Sequence, residues 1–199
     1  MNINELHQYI NRLLKSNQIK DYCPNGLQVQ GKHEIHKVIT GVTASQALIN
    51  QAIEKNADAI LVHHGYFWKN ESPTITGIKY NRIKALIDNN INLLAYHLPL
   101  DVHPTLGNNA QLAERLGIEV TGLVEEGNPF AVVVKGQLPQ MTKAEEFKNT
   151  ITSALARDCL HIPSHSNRAI KTVAWCTGGG QGYIELAAEQ GIDAFISGE

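Results

Sequence analysis

The sequence predicts an α/β fold with β-α-β units repeated in each half of the chain. Three observations carry that expectation. Short apolar runs rich in β-branched residues alternate with helical periodicities between residues 38 and 116. Residues 172–199 return to the same order after a stretch of different character. Finally, residues 37–64 align without a gap on residues 172–199 at an offset of 135, pairing Val38 with Val173, Ile49 with Ile184, Ala52 with Ala187 and Asp58-Ala59 with Asp193-Ala194. Any two β-α-β units share some likeness, so a true repeat and a generic one both remain open on these identities alone.

Taken in order, Ile3, Leu6, Ile10, Leu13 and Leu14 lie at helical spacing over residues 3–15, with Asn2 or Asn4 at the cap. Asp21-Tyr22-Cys23-Pro24-Asn25-Gly26 is turn chemistry, and Leu27 and Val29, with Ile35 beyond, belong to a short strand and turn. Residues 38–42 read as a strand, 43–45 as a cap, and Leu48, Ile49, Ala52 and Ile53 as one helix face before a strand over 58–62. Such a unit makes its two strands parallel with a right-handed crossover. A helix over 77–89 and a strand over 91–96 follow. Pro99 and Pro104 then place His97, Asp101 and His103 in a loop. Residues 106–116 read as a helix closed by Gly117. From about residue 119 the pattern becomes antiparallel, with strands over 120–124 and 130–134 around Gly127-Asn128-Pro129, a helix over 144–155 and a polar loop over 161–167. The domains expected are 1–119, a first lobe with ligand-bearing loops, and 120–199, a second lobe that is more antiparallel at its start and incomplete at its end.

Length and composition fit one large or two small globular domains, since 199 residues with 43% hydrophobic content can bury a core. Seventeen basic against nineteen acidic residues leave a net charge of -2 without a basic stretch, so nothing calls for nucleic acid. No apolar run approaches the roughly 20 residues of a membrane span, and the N-terminus lacks signal-peptide character. Cys23, Cys159 and Cys176 are odd in number and far apart, which suits reduced thiols in a cytoplasmic protein.

The chemistry concentrates at Ile60-Leu61-Val62-His63-His64-Gly65-Tyr66-Phe67-Trp68, an apolar strand that ends at two imidazoles. Alone, His63-His64 reads more naturally as a strand cap. With His97, Asp101 and His103 after the neighbouring strand, the set becomes imidazoles and a carboxylate at the sheet edge where α/β proteins bind ligands. These are ligands for zinc, iron or manganese, and the absence of nearby Cys argues against a closed structural zinc site. Adjacent side chains of a strand point oppositely, so unless the turn re-aims one of them, His63 and His64 suit two ions better than one, with Asp101 between or beside them, as in dinuclear hydrolytic sites. Trp68 and Tyr66 either stack on a planar ring or cover the loop. Thr177-Gly178-Gly179-Gly180-Gln181-Gly182 is neither a dinucleotide fingerprint nor a P-loop, and a tight turn explains it better than phosphate contact. His161 and His165 read as exposed loop residues, and His7, His33 and His36 form no constellation. On the repeat register His63-His64 correspond to Gly198-Glu199, so Glu199 could present a carboxylate where the first half presents an imidazole.

Asn25-Gly26-Leu27-Gln28-Val29, Gly41-Val42-Thr43-Ala44-Ser45, the His63-His64 stretch, His97-Leu98-Pro99-Leu100-Asp101 with Gly107-Asn108-Asn109-Ala110, and Trp175-Cys176-Thr177-Gly178-Gly179-Gly180 together resemble the GTP cyclohydrolase 1 type 2 homologue family, the Nif-three-like proteins. The likeness runs the whole length and is greatest to the short bacterial members. It implies two similar α/β lobes with mixed sheets, a dinuclear centre of two divalent metal ions per subunit, and a toroidal homohexamer. Carried over by motif, His63, His64 and Asp101 are metal ligands, and His97 is a neighbouring pocket residue that carries a proton. The implied activity is a metal-dependent hydrolase acting on a nucleotide or related heterocycle. The alternative is a metal-stabilised oligomeric scaffold or binding protein, with nucleic-acid binding a distant third. Family members continue past Ser197-Gly198-Glu199 into a segment with further His and Glu ligands, so a 199-residue form is expected to bind metal weakly and fold poorly alone.

Overall fold

A computed structural model describes residues 1–164 and 168–198; Glu199 and His165, both singled out above, lie outside the described residues. The chain forms two compact units, Met1–Leu100 and the remainder from Asp101.

The first unit opens with α1 (Ile3–Leu14), started by a capping box in which the Asn2 side chain accepts from the Glu5 N–H and the Glu5 carboxylate accepts from the Asn2 N–H. β1 (Gly26–Val29), β2 (Val38–Thr43), α2 (Gln46–Glu54, capped by Ser45), β3 (Ala59–His64), α3 (Gly77–Asp88) and β4 (Asn92–Ala95) follow. The sheet order is β1-β4-β3-β2, with β2, β3 and β4 parallel and β1 antiparallel to β4. Successive residues of β3 face opposite sides. Ile60 and Val62 join the core built with Ile49, Ala52 and Leu86 of α2 and α3, whereas Ala59 and Leu61 join Ile3, Ile10 and Leu14 of α1. Helices therefore cover both faces of β3, which explains why its sequence is a continuous apolar run. Each such Ile or Leu removed from water stabilises the fold by about 1.5–3 kcal/mol.

α4 (Leu98–Asp101) spans the boundary, and in the second unit α5 (Asn108–Leu116) ends at Gly117, whose φ of 65° suits glycine. Then come β5 (Glu119–Leu123), β6 (Val134–Thr142), α6 (Ala144–Leu155), β7 (Ile170–Cys176), α7 (Ile184–Glu189) and β8 (Ala194–Ser197). The order is β5-β6-β7-β8, antiparallel through β7 and parallel between β7 and β8. Both sheets are mixed, as the sequence implied. The internal repeat is genuine in register: Val38 pairs with Ala59 in one sheet, and Val173 with Ala194 in the other.

Three details depart from the sequence reading. The units divide after Leu100 rather than at residue 119, because Ala113 and Leu116 of α5 pack with Phe147, Ile151 and Trp175 of the second core. The strand expected over 130–134 runs instead from Val134 to Thr142, and Gly136 and Pro139 within it disguise the period-two pattern. Residues 98–101 form a helical turn, α4, rather than open loop; Pro99 sits in its first turn, where the missing N–H costs nothing. Among the described residues, no helix is long and apolar enough to cross a membrane.

Candidate metal centre

β3 continues through His63 and His64 to the end of its pairing with β2, where Thr43 lies opposite His64. The two imidazoles do not diverge. Their ring centroids are 4.5 Å apart, and that of His97 lies 5.0 Å from His63 and 5.7 Å from His64. One ligand-capable nitrogen from each of the three lies within 4.8 Å of the others. The alternation of a regular strand does not separate them, because these are the last two residues of β3, next to the turn at Gly65 that the sequence left able to re-aim one of them.

The rings are fastened from behind. His63 Nδ1 donates to the Tyr96 carbonyl at 2.9 Å, and that carbonyl lies at the end of β4. His97 Nδ1 donates to Asp21 Oδ1 at 2.8 Å, and the Asp21 side chain is only 2% exposed. A neutral imidazole that donates from Nδ1 carries its lone pair on Nε2, so Nε2 is the nitrogen that both residues leave available. His64 Nδ1 lies 3.5 Å from the Thr43 hydroxyl.

Asp21 is the hub of this support. Oδ1 also accepts the Tyr22 N–H at 2.6 Å, and Oδ2 accepts Asn25 Nδ2 at 2.8 Å and the Leu98 N–H at 2.9 Å. Burial pushes the carboxyl upward, but the bonds from His97, Asn25 and the Tyr22 amide outweigh it and leave the group below its ordinary value. Asn25 Oδ1 accepts the His97 N–H at 2.8 Å. Asp21, Cys23 and His97 form a second group of ligand-type atoms. Burial, with Asp21 adding to it, pushes the Cys23 thiol up to about 12, so it is a neutral filler rather than a thiolate.

The turn after His64 is laced by Gln28, whose Oε1 accepts the Tyr66 N–H at 2.8 Å and whose Nε2 donates to the Tyr66 carbonyl at 3.1 Å. Gly65 is required there, since a Cβ would lie 2.2 Å from Gln28 Oε1 and 2.6 Å from Ala95 Cβ. Tyr66 is buried and donates to the Ala44 carbonyl; burial first, against a weaker opposing effect of Arg82, holds its phenol at about 12 and therefore protonated. Trp68 covers the cluster edge-on to His97, with centroids 4.9 Å apart at 81°, and Glu71 accepts the N–H groups of Phe67 and Trp68.

Two further candidates have partners of their own. Asp101 belongs to the second unit, where it is buried and accepts from Asn108 Nδ2 at 2.7 Å and the Thr177 hydroxyl at 3.4 Å. His103 caps a turn, with Nδ1 accepting the N–H of Thr105 and Leu106. The glycine run after Thr177 is a tight turn as the sequence suggested: Gly178 has φ 76°, and a Cβ on Gly180 would meet Cys176 Cβ at 2.4 Å. Asp21, Asn25 and Gln28 were read as turn and strand residues, and their polar side chains beside Gly26 were the signal of a supporting network.

Three imidazoles with converging nitrogens fit a divalent transition metal, which takes His nitrogens at about 2.0–2.1 Å. The sequence profile of the Duf34/NIF3 (NGG1p interacting factor 3) family matches residues 1–199. The chain belongs to the DUF34/NIF3 family. Within this family, the GTP cyclohydrolase 1 type 2 homolog of Vibrio cholerae is 58% identical over 200 residues, covering 100% of this chain and 79% of that protein. The homolog of Escherichia coli K12 is 52% identical over 98% of this chain and 77% of its own. Among solved structures, protein ybgI, of unknown function, superposes with a TM-score of 0.95 at 52% identity over 100% of this chain and 78% of its own. TTHA1606 from Thermus thermophilus gives 0.82 at 33% over 100% and 78%.

Proposed function

We propose that this DUF34/NIF3 protein is a metal-dependent hydrolase, similar to GTP cyclohydrolase 1 type 2, that acts on a nucleotide or related heterocycle in the cytoplasm. The observation that carries the reading is the convergence of His63, His64 and His97, two of them tied back through Nδ1. His63, His64 and Asp101 are the proposed ligands of a dinuclear centre of zinc, iron or manganese, in a toroidal homohexamer. Bound divalent ions supply Lewis acidity for the activation of water. His63 presents Nε2 in a fixed orientation because the Tyr96 carbonyl holds the opposite side of the ring. His97, with Asp21 at Nδ1, takes or gives a proton at Nε2. Trp68 shields the imidazoles from bulk water on one side.

The test loads the protein with zinc, iron or manganese and screens nucleotides, GTP included, with mass-spectrometric identification of products. The reading expects turnover that chelation abolishes and that His63→Ala lowers at least 100-fold. Turnover that survives both complete chelation and Asp101→Ala sinks it. The second reading, a metal-stabilised scaffold, takes support from the density of structural hydrogen bonds behind the imidazoles. It expects tight metal uptake, no turnover, and dissociation of the oligomer on chelation.

A further inference from the structure

The Asp21–His97 pair admits a sharper assignment than its bond length alone. A carboxylate has no proton to donate, so the 2.8 Å contact to His97 Nδ1 requires the hydrogen to reside on Nδ1. The carboxylate is itself locked, because each oxygen has an amide partner: Tyr22 N–H on Oδ1 and Leu98 N–H on Oδ2. Asn25 then links the two residues twice, donating to Asp21 Oδ2 and accepting from the His97 backbone N–H. No rotation of Asp21 frees the imidazole without breaking several of these bonds.

We propose that Asp21 is a positioning residue: with Asn25 it holds His97 as the Nδ1–H tautomer, so that Nε2 is the nitrogen offered to the His63–His64 cluster. The inference deepens the metal reading and rests on it for its functional meaning, although the tautomer exists without any ion. Asp21 touches neither substrate nor the reacting atoms in this assignment. It acts through His97, fixing the imidazole so that Nε2, the nitrogen proposed to take or give a proton, faces the neighbouring His63 and His64. Asp21 lies far from the histidines in sequence and within a run that reads as a turn, so its role comes from tertiary geometry alone.

The test reads the tautomer directly. Long-range 1H–15N spectra of the metal-free protein at about pH 8, above the ordinary imidazole range, report which ring nitrogen of His97 carries the hydrogen. The expected result is Nδ1–H in the wild type and a mixture of tautomers in Asp21→Asn. Return of the Nδ1–H form in Asp21→Glu separates a positioning role from lost stability. An Nε2–H tautomer in the wild type overturns the proposal and needs no variant to fold. So does an Asp21→Asn protein whose His97 tautomer is unchanged. A wild type that takes up no zinc refutes the metal reading instead, and the tautomer alone then decides this one.

Discussion

Asp58 and Asp193 perform the same task at equivalent positions of the two sheets. Asp58 Oδ2 accepts the N–H groups of His36 and Lys37 at 2.9 Å, and Asp193 Oδ2 accepts those of Lys171 and Thr172 at 3.0 Å. The four amides are themselves related by the 135-residue offset that relates the aspartates. Each carboxylate also meets one cation: Lys32 Nζ at 2.7 Å for Asp58, and an Arg168 guanidinium nitrogen at 2.9 Å for Asp193. In both units, the residue that opens the second parallel strand fastens the start of the first.

Asp58 makes the first unit acid-sensitive in a defined window. Its hydrogen bond to Lys32, opposed by burial and aided by the two amides, lowers the carboxyl from 3.8 to about 2. A folded value below the unfolded one stabilises the protein fully above about pH 4, and the contribution disappears as pH falls toward 2. Urea unfolding of wild type should lose about 2 kcal/mol across that window from this group, and Asp58→Asn should show a correspondingly shallower acid dependence.

Gly65→Ala should be damaging at a position with no charge or ligand. The new methyl group meets Gln28 Oε1 and Ala95 Cβ well inside contact distance. The side-chain amide can swing away only by abandoning its bonds to Tyr66, and Ala95 lies on a buried strand that cannot move. A loss of about 1–3 kcal/mol is expected, read as a lower midpoint in thermal unfolding, together with weakened zinc binding.

Two histidines offer a matched comparison. His63→Ala should abolish stoichiometric zinc uptake in equilibrium dialysis, whereas His103→Ala should leave zinc affinity within twofold of wild type. His103 serves a turn through Thr105 and Leu106, so its loss should instead cost about 0.5–1.5 kcal/mol of stability.

Metal removal should be visible in the folding equilibrium. Zinc at about 100 times its dissociation constant should stabilise the native state by about 2.7 kcal/mol. Chelation should reverse this, and His64→Ala should show almost no difference between the two conditions. Equal thermal midpoints with zinc and with chelator in the wild type would count against the centre.

Local pattern was enough for the elements nearest the site. The apolar run of β3 and the His63-His64 pair announced a strand carrying imidazoles, and the residue 144–155 helix has the same bounds in sequence and structure. What failed were particular features settled by distant contacts. Gly136 and Pro139 concealed β6, whose pairing with β7 skips a register between Gln137 and Thr142 and so tolerates a residue without an N–H. Pro99 looked like a stop because a proline that ends one element also suits the first turn of another. Asp21 looked like turn chemistry because its histidine lies 76 residues away.

That separation also sets an order of events during synthesis. β1 and β4 are neighbours in the sheet, yet β2, α2, β3 and α3 lie between them in sequence. A nascent chain that has emerged only through His64 holds two of the three clustered imidazoles and lacks the Tyr96 carbonyl that anchors His63. The imidazole cluster is therefore complete only once β4 and His97 have been made, so it forms with the last strand of this sheet rather than nucleating the earlier ones.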